Sequence, residues 1–104
     1  MLRQDVITLV GEESRTHGIY EQPYRTEREV FVTVDGVGMN EMYLAMAQGL
    51  RPEVKFHLVL AEDYEKERTC VWQGETYSVI RTALDRDGGD GITLVCQRGV
   101  QTDA

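Results

Sequence analysis

The sequence has little cysteine, proline or tryptophan: two, two and one in 104 residues. Two cysteines cannot build the disulfide framework of a small secreted domain. Cys70 and Cys96 lie in apolar alternating runs and read as reduced, buried thiols, with a bridge between neighbouring strands as the alternative. Basic residues are also scarce, with 11 Lys and Arg against 18 Asp and Glu and a net charge of −7. This excess of carboxylates argues against gripping nucleic acid by its phosphates and against docking on an anionic membrane. No apolar run reaches the roughly 20 residues of a membrane span. The opening "MLRQDVITLV" lacks the apolar core and cleavage site of a signal peptide, so a cytosolic protein is expected. There is no internal repeat, low-complexity tract or composition break, so one domain is expected over residues 1–104.

Motifs of chemistry are equally thin. His17 lies in a polar stretch and His57 on the polar side of an alternating run, neither with a second ligand at metal-site spacing. "DRDGGDG" begins like a calcium loop. Gly89 then stands at its third ligand position and Cys96 where a bidentate Glu is needed, so a hairpin turn is the better reading. "GVGMNE" lacks the third glycine of a dinucleotide fingerprint. Glu62, Asp63, Glu65 and Glu67 crowd one turn, which reads as a solvated connection rather than an acid–base pair. Ser14 and Ser78 have no evident base, and a dyad of His57 with either cysteine would need side chains from opposite faces. Phe31, Tyr64, Trp72 and Tyr77 are not interleaved with a basic stripe, which favours core packing or subunit contact over stacking on bases. No catalytic residue, cofactor or metal is expected.

What the chain does have is alternation. "DVITLV" (Asp5 to Val10), "EVFVTV" (Glu29 to Val34), "EVKFHLVL" (Glu53 to Leu60), "RTCVW" (Arg68 to Trp72), "TYSVIRTA" (Thr76 to Ala83) and "ITLVCQ" (Ile92 to Gln97) read as strands. Val54, Phe56, Leu58 and Leu60 share one face, as do Ile92, Leu94 and Cys96. "QGE" signals a tight turn. Gly11 to Arg28 is a long polar loop, either a mobile excursion or a weak hairpin around "GIYEQPY". Residues 99–104 read as a frayed tail. About six short antiparallel strands with one apolar face each predict a mainly β fold, a small closed barrel or a sandwich.

The stretch "GMNEMYLAMAQGLRPE" differs in kind. Asn40 suits an N-cap, Glu41 suits the first turn, and Met39 with Leu44 suits a hydrophobic staple. Gly49 suits a left-handed C′ residue, and Pro52 blocks continuation. The pattern predicts one short α-helix, Glu41 to Gln48, between the second and third strands. A helix of roughly two turns does not persist alone in water, so tertiary or subunit contacts must hold it.

The run from "REVFVTVDGVGMNEMYLAMAQGLRPEVKF" through "WQGETYSVIRT" to the final "CQRG" resembles the bacteriophage head closure proteins, also called head–tail connector or head–tail joining proteins, of tailed phages and prophages. The resemblance covers Asp5 to about Gly99, nearly the whole chain. It implies a small β-barrel with a helix-bearing insertion. Many copies would form a ring beneath the portal and adaptor rings, closing the filled capsid and offering a surface to the tail. The implied partners are the chain itself, a portal or adaptor protein, and tail or neck proteins. Double-stranded DNA is present only as an enclosed, passing polymer, and no membrane is involved. The implied locations are the virion head–tail junction and, during assembly, the bacterial cytoplasm.

A head-to-tail ring needs two different patches per subunit. The candidates are Met39, Met42, Tyr43, Leu44, Met46 and Leu50 around the helix, and Glu62, Asp63, Tyr64 and Glu65 in the charged turn. The Gly11 to Arg28 loop and the Asp35 to Pro52 insertion are both candidates for plugging the channel. The other readings are a related neck or tail-completion subunit, a cytosolic small-barrel adaptor that takes a peptide along a sheet edge, and a small hydrolase.

Overall fold

Alternating apolar residues order this chain into sheet. The computed structural model describes residues 3–17, 20–86 and 88–99, with backbone only for 12–17 and 20–24. The strands are β1 (Arg3–His17), β2 (Tyr20–Asp35), β3 (Val54–Leu58), β4 (Thr69–Trp72), β5 (Glu75–Leu84) and β6 (Ile92–Arg98). One helix, α1 (Met39–Met46), falls between β2 and β3, as expected. All neighbouring strands are antiparallel and close into a barrel in the order β1-β2-β3-β6-β5-β4. The fold is thus the barrel, not the sandwich.

The inward residues are those that alternation selects. Ile7, Leu9, Phe56, Leu94 and Cys96 are at most 1% exposed. The Phe56 ring meets the Trp72 ring at 5.4 Å and the Tyr77 ring at 6.2 Å, both edge-on, a geometry that suits aromatic quadrupoles. Leu60 departs from expectation. β3 ends at Leu58, and Leu60 is partly exposed.

Within Gly11 to Arg28 the hairpin alternative holds, not the mobile excursion: residues 11–17 and 20–28 belong to β1 and β2, whose antiparallel register runs from Arg3 opposite Val34 to His17 opposite Tyr20. β1 pairs with β4 only over Thr8, Leu9 and Val10, and β2 pairs with β3 only over Thr33, Val34 and Asp35. Among the described residues the outer part of this hairpin is therefore a two-stranded ribbon, and the chain extends over 50 × 32 × 28 Å. Gly18 and Ile19 lie outside the described residues, as does the side chain of His17.

α1 starts two residues earlier than expected. Gly38, not Asn40, is the N-cap. Its carbonyl accepts from Met42 N at 2.9 Å, with no side-chain cap. The exit follows the expected chemistry. Gly49 sits at φ +78°, Gly49 N donates to Met46 O at 3.0 Å, and Leu50 N donates to Ala45 O at 3.0 Å. This is the Schellman pattern, with glycine at the left-handed position.

The "QGE" turn joins β4 to β5 with positive φ at Gln73 (51°) and Gly74 (77°), the conformation that matches strand twist in a two-residue hairpin. Gly99 is not frayed: its N donates to Thr76 O at 2.9 Å, and its carbonyl accepts from Ser78 Oγ. Residues 100–104 lie outside the described residues.

Candidate functional site

α1 lies on the outer wall of the barrel. Beneath it Val95, on the outward side of β6, is only 3% exposed, and Ile80 lines the same cleft. Ile80 is the extra residue of a β-bulge between Val79 and Arg81, and a bulge re-aims side chains locally. Glu41 anchors the helix. Its carboxylate lies 3.6 Å from Lys55 Nζ on β3 and 3.6 Å from an Arg81 guanidinium nitrogen on β5. Glu41 Oε2 is buried without a hydrogen bond, so this anchor rests on charge rather than on direct hydrogen bonding.

The apolar side chains of α1 mostly turn the other way. No residue of the helix is buried. Met39 and Leu44 are each 70% exposed, Tyr43 62% and Met46 50%, while Met42 and Leu50 are half-buried. Contiguous exposed apolar surface of this kind marks interaction sites. Of the helix candidates from sequence, Met39, Tyr43, Leu44 and Met46 are therefore exposed, while Met42 and Leu50 are not.

The charged turn is built differently. Ala61–Asp63 forms a single 3-10 turn, with Glu62 and Asp63 exposed. Glu67, expected to be solvated, is 5% exposed. Its Oε2 accepts from Arg28 Nε at 3.0 Å and from a terminal Arg28 nitrogen at 2.7 Å, and its Oε1 accepts from Glu65 N at 2.8 Å. Arg28 also donates to Asp63 O at 2.8 Å and lies 3.1 Å from Glu65 Oε2. Tyr64 packs against the core and donates from its hydroxyl to Glu67 O at 2.7 Å. Burial and the nearby Glu67 charge push its phenol up to about 12. The turn is therefore clamped to β2, with Tyr64 half-buried, Glu65 exposed but paired to Arg28, and Glu62 and Asp63 left at the surface.

A second apolar patch surrounds Phe31, one of the aromatics read from sequence as core packing or subunit contact. Val30, Val32 and Val34 point inward, so Phe31 must point out, and it is 84% exposed. Its partner across the hairpin is Val6, 37% exposed. Val59 follows two residues beyond His57, the partner of Thr33, and is 73% exposed. The signal was present in "EVFVTV", where strict alternation places Phe31 on the face opposite the valines.

His57 faces outward, as expected, but is not simply solvated. Its Nε2 lies 2.9 Å from both carboxylate oxygens of Asp85. Gly91 makes room for this pair: a Cβ there would stand 2.5 Å from Leu58 O and 2.7 Å from His57 Nε2. Cys70 and Cys96 are buried free thiols with sulfurs 4.0 Å apart. The hydrogen bond with Cys70, burial and the Cys70 charge all push the Cys96 thiol up. These sulfurs point into the core, away from His57. Among the described residues no group of three or more His, Cys, Asp or Glu is placed to hold a metal ion, and no helix is long and apolar enough to cross a membrane.

Compared with protein-family models and with curated proteins, the chain finds no match.

Proposed function

We propose that this chain is a structural subunit of a tailed-phage or prophage head–tail connector. It would assemble as a ring under the portal or adaptor, close the DNA-filled capsid and present the tail attachment surface. The observation that carries this reading is α1, a helix with no buried residue on which Met39, Tyr43, Leu44 and Met46 are exposed. A helix of eight residues gains little from propensity alone. The apolar face it displays is surface that a neighbour would cover. The net charge of −7 fits a collar that lets DNA pass without holding its phosphates.

The test is to mix the protein with purified capsids carrying their adaptor ring and to examine the necks by electron microscopy. A new collar and retained DNA are expected. Necks that stay unchanged at saturating protein would refute the reading.

A second reading is a small-barrel adaptor that takes a peptide as an added strand. The observation favouring it is the edge of β2, which among the described residues pairs with β3 only at Thr33, Val34 and Asp35. Such an adaptor stays monomeric at all concentrations and leaves capsids untouched.

A further inference from the structure

α1 and the Val6–Phe31 pair lie on opposite walls of the barrel, with Val59 just beyond β3 on the side between them. β6, which carries Val95 under α1, is three strands from β1 in either direction around the closed order. Val6 of β1 and its β2 partner Phe31 therefore stand across the barrel from the helix. A two-fold dimer would need one self-complementary patch. Two unlike patches on opposing walls suit a head-to-tail contact, which closes into a ring when the rotation allows.

The geometry points to one pairing: the outward face of α1 on one subunit seats on the Val6–Phe31–Val59 surface of the next. This inference rests on the ring reading above and names the surfaces that would make the ring. Two features favour a second copy of this chain as the occupant.

The first is area. The exposed parts of Met39, Tyr43, Leu44 and Met46 on one side, and of Phe31, Val59 and Val6 on the other, offer roughly 700 Å² of mostly apolar surface. A standard interface buries about 1,200–2,000 Å² in total, a little over half of it apolar. Together the patches approach the apolar part of that requirement.

The second is charge. Glu41, the acidic residue of α1, is turned inward to Lys55 and Arg81. Of the exposed charges beside the helix, Arg81 is thus engaged by Glu41, Glu53 lies 3.5 Å from Arg98, and Asp35 and Arg51 stand at the two ends. On the outward row of β2 next to Phe31 stand exposed Glu29 and Glu27, the latter bridged to Arg25 at 3.1 Å. Arg51 on one rim and Glu29 on the other are exposed charges of opposite sign, and such a pair across the contact fixes its register.

The experiment uses the full chain with Phe31→Cys, Leu44→Cys, or both. These positions are 84% and 70% exposed; Leu44 also borders the cleft over Val95, and an unchanged thermal transition checks that the fold is kept. The native Cys70 and Cys96 are buried and do not compete for a water-soluble bismaleimide. The double variant is added to capsids with adaptor rings, and separately held at about 1 mM, where even weak contacts are populated. It is then cross-linked and analysed by denaturing gel and peptide mass spectrometry. A ladder of dimer, trimer and higher species joined between positions 31 and 44 is expected. So is a 31–44 heterodimer when the two single variants are mixed.

Single variants that link to themselves would indicate a two-fold contact and overturn the pairing. A collar on capsids without 31–44 links would overturn the pairing and leave the ring reading standing, with a neck protein as the occupant of α1. Neither collar nor ladder would overturn both.

Discussion

Replacing Glu67 by alanine removes a carboxylate that is 5% exposed and accepts three hydrogen bonds, two from Arg28 and one from Glu65 N. Breaking a buried ion pair by deleting one partner costs about 3–5 kcal/mol, because the survivor is left without compensation. Here Arg28 keeps Glu65 Oε2 at 3.1 Å and Asp63 O at 2.8 Å, and its side chain is a third exposed. The survivor is therefore partly compensated, and the cost belongs at the low end, about 3 kcal/mol. For a chain of about this size each kcal/mol lowers the melting temperature by roughly 4–8 °C, so a fall of about 12–24 °C is expected. Glu67→Gln keeps an oxygen for the Glu65 amide and loses the charge, so it should fall about half as far. The double variant Arg28→Met/Glu67→Met, which strands no charge, should recover much of the loss. Thermal and urea unfolding followed by circular dichroism supply the readout. If Glu67→Ala moves the transition by less than about 4 °C, the pair is worth no more than an exposed bridge. The clamp between the 3-10 turn and β2 would then be an incidental contact.

Gly91→Ala puts a Cβ against the Leu58 carbonyl and the His57–Asp85 pair. A backbone atom cannot step aside, so a loss of about 2–4 kcal/mol is expected in the same unfolding assay. Asp5 accepts from the indole N–H of Trp72 at 2.8 Å, and this bond together with that from Val6 N lowers its carboxyl below 3.8. A depressed carboxyl contributes stability above its unfolded value and loses it as pH falls through the folded one. Fluorescence of Trp72, the single tryptophan, should therefore stay flat through pH 3.8 and change only below it, and Asp5→Asn should abolish the change. The raised Cys96 thiol carries the opposite sign: its contribution is complete below the unfolded value of 9.0 and fades as pH rises above it. Tyr64 adds the same trend between 10.0 and about 12. Melting temperature should thus decline from pH 9 upward, less steeply in Cys96→Ala, and both thiols should resist iodoacetamide at pH 8 until the chain is unfolded.

The barrel was legible because its strands obey one rule: inward positions are apolar and alternate with polar ones. That rule placed Val54, Phe56, Leu58, Ile92, Leu94 and Cys96 correctly. It was silent for Gly11 to Arg28 because pairing there is carried by backbone groups. Side-chain alternation reports strand only where one face enters a core. It was also silent about Val95, an outward residue buried because α1 folds over it. Glu67 could not be found from composition, since its burial depends on Arg28 arriving from 39 residues away in sequence. The Asn40 cap failed for a local reason. The chain leaves β2 through Asp35, Gly36, Val37 and Gly38, and glycine adopts the extended cap conformation at little cost, so the helix begins before Asn40 is reached.

The two patches bear on function because the fold does not require them. Val95 and Ile80 need a cover, and the flank of α1 that carries Leu44 and Ala45, with Leu50 and Pro52 behind it, lines that cleft. Met39, Tyr43 and Met46 lie outside it. A lid made only for folding would carry polar residues at those three positions, as the outer side of a surface helix ordinarily does. Phe31 poses the same problem on β2: threonine there would keep strand propensity without exposing a ring. Apolar surface displayed on opposing walls of a small barrel lowers solubility and gives the isolated subunit no stability in return. The cost is offset if both surfaces are covered in the assembled state, which is the physical basis of the proposed ring.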